Sequence, residues 1–562
     1  MSSPPRKLTR RTLLAWGTAA AATAGVPSRA EAASSLDLVR SIVVDSDGTP
    51  FAGDGPMLTT VSPGGPGGRT TARVTFGLEH PADVRLEVLN RNAPGAVAAS
   101  VEGGVAGTSP SSQATQTYKL GRGHHTLEWT PPATLEPGTY SLVLTVTGRD
   151  KKATRVTFGA ATPAHPAALR APVVRVLGLD AAFTARSYAP GDTATLQVAA
   201  DAKSITAQVL HVGPETAPTY ANNLVHGIAV GDPVTTDWSA NIDAPTPLQI
   251  PVGDWPSGVY FVQLTSDDGR LGFAPFVVRP AQPQHRVLIV VPTNTWQAYN
   301  FYDRDADGFG DSWYVSWAID SIDLTRPHLH RGVPYRFRSY DLAFLHWLSQ
   351  SGKQVDYCAE DDLIGYAPGD PLRAAYDLVV FPGHTEYVTP TAFAAVERYR
   401  DLGGNLVFLS SNNFFRRVDR HGLDELKLIG LWRAHGRPEA ELIGVQYRAS
   451  DRGTHQSPFV VTDAGAASPI LAGTGLASGG TFGRYGIEID ATTPDSPPGT
   501  QVLAEIPDAL GPGLTAQMTY YEHSSGAKVF AAGAMNFGGQ MELWPEPTKI
   551  IENVWALLAP PS

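Results

Sequence analysis

The sequence predicts two N-terminal β-sandwich modules of immunoglobulin-like type, followed by an α/β domain with a doubly wound parallel sheet. Three observations lead there. The first half consists of short segments that alternate apolar and polar residues between Gly- and Pro-rich turns, as sandwich strands do. From Arg286 onward the strands become continuous apolar runs separated by helical stretches, the pattern of parallel strands covered on both faces. At 562 residues the chain also exceeds what one core can organise.

Residues 1–32 read as a leader. Thr9-Arg10-Arg11-Thr12-Leu13-Leu14 precedes an alanine-rich apolar run and the small-x-small site Ala30-Glu31-Ala32, the order of a twin-arginine signal peptide. The apolar run from Leu13 to Val26 is shorter than the roughly 20 residues a membrane-spanning helix needs. Secretion of the mature chain through the twin-arginine pathway is therefore expected. That route carries folded proteins, often with a cofactor already inserted.

The first β module is assigned to 33–160. Arg73-Val74-Thr75-Phe76-Gly77-Leu78 and Val84-Arg85-Leu86-Glu87-Val88-Leu89 alternate at period two, and Gly138-Thr139-Tyr140-Ser141-Leu142-Val143-Leu144 closes it. An Ala/Pro-rich stretch, 161–172, reads as a linker. The second β module, 173–280, ends on Trp255-Pro256-Ser257-Gly258-Val259-Tyr260, which echoes the close of the first. Neither module offers a catalytic constellation, and contact with a glycan or a cell surface is one use for them.

The α/β domain is assigned to 284–562. Its strands are Arg286-Val287-Leu288-Ile289-Val290-Val291, a run at Val355, a run ending at Pro382, and Asn405-Leu406-Val407-Phe408-Leu409. Helices are expected over 339–350, 389–402 and 545–558. No GxGxxG or GxxxxGK stands at a strand-to-helix turn, so nucleotide binding has no support.

Totals narrow the partners. Net charge is -11, and the leader holds five cations against one acid, so the body is more acidic still. Such a body, with no basic cluster, argues against nucleic acid and anionic membrane. The single cysteine, Cys358, excludes an intrachain disulfide and any CxxC metal site, and its apolar surroundings suit a buried thiol.

Chemistry is expected at the strand ends, where open α/β sheets bind ligands. Phe381-Pro382-Gly383-His384-Thr385-Glu386-Tyr387 places a histidine and a carboxylate two residues apart at such an end; a solvated loop is the alternative. Three further segments should open on the same crevice. They are the loop Asn294-Thr295-Trp296-Gln297-Ala298-Tyr299-Asn300, the helix start Arg336-Phe337-Arg338-Ser339-Tyr340-Asp341, and Ser410-Ser411-Asn412-Asn413.

These segments, with Gly403-Gly404-Asn405-Leu406-Val407-Phe408-Leu409, resemble the C-terminal domain of the N,N-dimethylformamidase large (beta) subunit family. The resemblance runs from about Val287 to Asn413, with a looser match to the C-terminus. It implies a class I glutamine-amidotransferase-like fold without the cysteine nucleophile. It also implies a mononuclear ferric iron held by Tyr299, Tyr340 and Glu386, with His384 and Glu522 as catalytic groups and Asn412 as a supporting polar residue. Phenolate and carboxylate are hard oxygen donors that suit ferric iron. Two functions follow. One is a secreted, iron-dependent hydrolase of an amide or related C–N bond acting on a small molecule. The other is an exported binding protein for glycans or the cell surface, with an inactive α/β domain.

After Asn300 the chain departs from the family, which commonly continues with tryptophan and two glycines. Here Asp303, Asp305, Asp307, Gly308 and Asp311 follow a DxDxDGxxD calcium pattern instead. Tyr314 stands where an EF-hand has its glutamate, so a full EF-hand is not expected. A solvated acidic loop is the alternative to calcium.

Overall fold

The computed structural model describes residues 39–90, 92, 111–148, 153–156, 171–219, 221–314, 319–366, 371–422, 424–451 and 453–560. The leader and most of the linker lie outside these residues.

In the first module the antiparallel strands Val39–Ser46, Ala72–Leu78 and Gly123–Trp129 form one sheet. It faces a six-stranded sheet that includes Ala82–Asn90 and Gly138–Thr147. Alternation decides the facing. Val84, Leu86 and Val88 are buried while Asp83 and Arg85 are exposed, and the buried set meets Val74, Phe76, Leu127 and Trp129 in one core. The strand Val173–Val176 pairs with both Leu58–Val61 and Gly138–Thr147, so it completes the first module's sheet rather than opening the second. Strands of the second module begin at Leu179. Three of them, Leu179–Phe183, Thr193–Ala200 and Thr246–Pro251, cover a five-stranded sheet over a core of Leu196, Val198, Tyr260, Val262 and Phe276. The echo between the two closes has a structural basis. Tyr140 Oη donates to the Glu136 carbonyl and Tyr260 Oη to the Pro256 carbonyl, each at 2.7 Å, and each locks its strand to the preceding turn.

The third region corrects the expected sheet. Asp356–Ala359, Val287–Val291, Leu378–Phe381, Asn405–Phe408 and Lys528–Ala531 run parallel in that spatial order. Beyond them the same sheet turns antiparallel through Ala516–Glu522, Gln501–Ile506, Gln456–Val461, Thr481–Ala491 and Gln446–Ser450. The result is an eleven-stranded mixed sheet, not the doubly wound parallel sheet or the amidotransferase-like fold predicted. Among the described residues strand outweighs helix, 40% against 17%. The reason lies after residue 409, where hairpins replace helical crossovers and neighbouring strands must therefore run antiparallel.

Both faces of the parallel half are buried, which is why its strands read as unbroken apolar runs. Ile289 and Val380 pack to one side with Phe344 and Ile550, while Leu288 and Val379 pack to the other with Phe393 and buried Cys358. The helix Pro390–Asp401 starts at Thr389, whose hydroxyl accepts from the Ala392 N–H. The helix expected over 339–350 begins instead as a π turn, Arg338–Leu342, and becomes α-helical at Ala343. The segment expected as a loop after Val291 is the short helix Thr293–Ala298. A small sheet, with Tyr387–Val388 beside Arg416–His421, forms from the segments just beyond the C-terminal ends of the parallel strands. Among the described residues no helix is long and apolar enough to cross a membrane.

Candidate active site at the strand ends

Three parallel strands end at Val291, Phe381 and Phe408, and the segments that follow them converge. Glu360 caps the helix Thr293–Ala298, its Oε2 accepting from the Asn294 N–H at 2.7 Å. That helix delivers Tyr299 at its C-terminal cap, where the side chain is buried. The Tyr299 hydroxyl donates to Glu386 Oε2 at 2.5 Å. Thr295, one turn earlier, accepts the Glu386 N–H at 3.0 Å, so a single helix fixes both the backbone and the carboxylate of Glu386.

His384 is buried in the same loop, with Nε2 3.6 Å from Glu386 Oε2 and 3.7 Å from Glu488 Oε2. Asn412 follows the strand Asn405–Phe408 in the left-handed region, φ 57°, a conformation asparagine tolerates better than most residues. Its side chain donates to Glu488 Oε2 at 2.7 Å, and its backbone N–H to Asp490 at 2.9 Å. Arg416 Nε approaches Glu386 Oε1 at 3.6 Å. Half-buried Tyr340, in the π turn, lies within electrostatic reach of Glu488. A π turn widens one step of a helix and is frequent at functional sites.

Burial and mutual charge shift most of the titratable groups of this cluster. Burial pushes Glu386 above the usual carboxylate range, with Arg416 opposing it. Burial and the neighbouring Glu386 push Glu488 well above, and burial, assisted by Glu439 and opposed by the Asn412 N–H, lifts Asp490 to about 7. Tyr299 is raised by burial and by Glu386. The His384 imidazole is driven down to about 3 by burial, and both its ring nitrogens are buried without a hydrogen-bond partner, as is Asn412 Oδ1. Buried polar groups ordinarily find partners. Carboxylates crowded around one arginine, the Tyr299 phenol donating to one of them and an orphaned imidazole form a donor set that fits a hard metal ion.

The structure thus brings together Tyr299, His384, Glu386 and Asn412, with Tyr340 within electrostatic reach of Glu488 at their side. It does not bring in Glu522, which is exposed at the end of Ala516–Glu522 beside Lys528 and accepts from Tyr520 Oη. Lys528 opens a strand parallel to Asn405–Phe408, so Glu522 sits at the opposite rim of the sheet. The further carboxylate in the site, beside Glu386, is Glu488, which sequence reasoning missed. Its signal was present: Glu488 and Asp490 alternate around Ile489 in a strand where inward positions should be apolar.

The acidic loop lies next to the site. Carboxylate oxygens of Asp303, Asp305 and Asp311 lie within 4.8 Å of one another. Asp307 is outside that group, its Oδ1 accepting from the Phe309 N–H. Thr139 of the first module donates to Asp303 Oδ2 at 2.7 Å. Gly308 approaches Ser141 so closely that a Cβ would stand 2.5 Å from its Oγ. Tyr314, just past the loop, packs edge-on against Tyr299 with ring centres 5.1 Å apart.

The family model described as N,N-dimethylformamidase beta subunit-like, C-terminal, matches residues 206–550. The chain belongs to this family. The N,N-dimethylformamidase beta subunits of Paracoccus aminophilus and of an Alcaligenes species are each 31% identical to it over 121 residues, 21% of this chain and 15% of theirs. The chain thus matches only about a seventh of the length of those relatives. Among solved structures, methylamine-reacted Salmonella alpha-2-macroglobulin aligns with 42% of this chain and 17% of its own, at 10% identity and a TM-score of 0.21. Trypsin-activated alpha-2-macroglobulin of Escherichia coli aligns with 43% and 17%, at 10% identity and a TM-score of 0.24.

Proposed function

We propose that this dimethylformamidase-family protein hydrolyses an amide or related C–N bond, with a mononuclear ferric iron held by Tyr299, Tyr340 and Glu386. The observation that carries the reading is the direct contact between Tyr299 Oη and Glu386 Oε2, with orphaned His384 and buried Glu488 against the same carboxylate. When bound, iron would supply Lewis-acid polarisation of the amide carbonyl and would lower the pKa of a water. The remaining work falls to the chain. His384, whose Nε2 lies beside Glu386 and Glu488, is the group that would hold the proton lost by the nucleophile. Glu488, held by Asn412, can pass a proton to the departing nitrogen. Arg416 offsets the charge of Glu386, and the short helix excludes solvent behind Tyr299.

Iron content, the visible spectrum and amide hydrolysis of the purified protein test this reading together. It predicts near-stoichiometric iron and a phenolate-to-iron charge-transfer band. Colourless protein that holds zinc after expression with ample iron overturns it.

Two further assignments belong to the proposal. Calcium at Asp303, Asp305 and Asp311 is supported by the convergence of their oxygens and by the DxDxDG spacing. Export by the twin-arginine route is supported by Arg10-Arg11 and the apolar run after them.

A further inference from the structure

We propose that Arg336 recognises a carboxylate on the substrate at the mouth of the site, so that the amide hydrolysed is an acidic one; this rests on the hydrolase reading. Arg336 opens the turn that carries Tyr340, its carbonyl accepting the N–H groups of Ser339 at 2.8 Å and Tyr340 at 2.9 Å. It has φ 64°, a left-handed conformation that an arginine adopts only under constraint. Such strain concentrates at ligand clamps and active sites, where the surroundings hold it in place.

The side chain is exposed, yet it is not left to solvent. Its guanidinium lies 5.3 Å from the centre of the Tyr335 ring and within electrostatic reach of the Tyr340 and Tyr314 hydroxyls. It also hydrogen-bonds to Tyr335, which engages part of the fork; a guanidinium carries five N–H donors, and those that remain can meet a carboxylate. Among the described residues no carboxylate pairs with it. Arg416 differs, because it is already engaged with Glu386 inside the site. Tyr314 and Tyr335, half-exposed and 6.2 Å apart between ring centres, continue as a wall from Tyr299 toward Arg336. A substrate whose amide reaches Glu386 along that wall would place its far end at Arg336.

The probes are N-formylglycine and N-propylformamide, similar in size and different only in the carboxylate. Wild type should favour N-formylglycine in kcat/KM. In Arg336→Gln the ratio of the two kcat/KM values should fall about tenfold, most of the loss appearing in KM for N-formylglycine. Arg336→Lys, which keeps the charge but not the fork, should recover part of that ratio. An unchanged ratio in Arg336→Gln, or wild-type preference for N-propylformamide, overturns the assignment. If the protein hydrolyses neither probe, the hydrolase reading has failed, and calorimetric binding of N-formylglycine then decides. Weaker binding to Arg336→Gln than to wild type supports recognition by Arg336; equal binding, or none to wild type, overturns it.

Discussion

The Tyr299 hydroxyl donates to Glu386 Oε2 across 2.5 Å, joining a helix cap to a strand-end loop 87 positions later in the chain. Removing either partner breaks this buried hydrogen bond, which makes the pair the sharpest place to test the metal. Tyr299→Phe should shift or bleach the charge-transfer band, and Glu386→Ala should lower iron per chain. His384→Ala should keep the iron and lower kcat by about 10²–10⁴-fold, the range of general acid–base catalysis. Iron analysis and absorption spectra check the first two, and turnover checks the third. A band unmoved by Tyr299→Phe would remove that residue from the donor set.

Glu488 and Glu522 give a paired comparison. Glu488→Gln retains the shape and the contact with Asn412 but cannot deliver a proton, so kcat should fall about 10²-fold or more at constant iron content. Glu522→Gln, at the opposite rim, should leave kcat as it was. The reverse outcome would return the acid role to Glu522.

What the sequence disclosed follows from where each residue stands. His384, Glu386 and Asn412 come just after apolar runs, Tyr299 follows one by a single short helix, and a strand end can be read from the run that precedes it. Glu488 lies within the strand Thr481–Ala491, in the half of the sheet whose strands are linked by hairpins and whose position depends on distant pairings. Glu522 ends a strand too, but no local pattern reveals strand direction, and its strand ends at the wrong rim. The same blindness produced the parallel sheet: a buried run such as Lys528–Ala531 does not announce that its hairpin partner turns the sheet antiparallel. The π turn at Tyr340 was equally hidden, because its residues fit an ordinary helix.

Gly383 should tolerate no side chain. A Cβ there would stand 2.3 Å from Asp341 Oδ1 and 3.0 Å from Pro292 Cγ, and Asp341 is held by the Trp296 indole N–H at 3.3 Å. Asp341 follows Tyr340, so a push from residue 383 is transmitted to the π turn. Gly383→Ala should cost about 1–3 kcal/mol of stability, as overpacking does, and should weaken iron binding. Chemical denaturation with iron analysis measures both, and a variant as stable as wild type would mean the loop yields freely.

Calcium should raise the melting temperature, since it would bind only the folded loop. At a hundredfold excess over Kd the gain is about 2.7 kcal/mol. Asp305→Ala should abolish that gain, while Thr139→Val should reduce it by freeing Asp303 from the first module. Equal melting temperatures in calcium and in chelator would leave the loop as a solvated turn.

The last prediction concerns pH. His346 is buried between two carboxylates, with Nε2 3.1 Å from Glu215 Oε1 of the second sandwich and Nδ1 2.8 Å from Glu542 Oε1 near the C-terminal helix. Only the imidazolium carries a proton on both nitrogens, so the folded state favours the charged ring. Its pKa is raised above 6.5, chiefly by the hydrogen bond to Glu215, with burial opposing and Glu542 assisting. A raised folded pKa gives stability that is fully present below the unfolded value near 6.5 and is lost as pH rises through the folded value. Melting temperature should therefore decline above pH 6.5 in wild type more steeply than in His346→Gln, which cannot charge. Other groups titrate in the same window, but the difference between the two proteins isolates His346. Parallel pH profiles would show that the ring is neutral in the folded state and that the bridge between the sandwich and the C-terminal helix is not ionic.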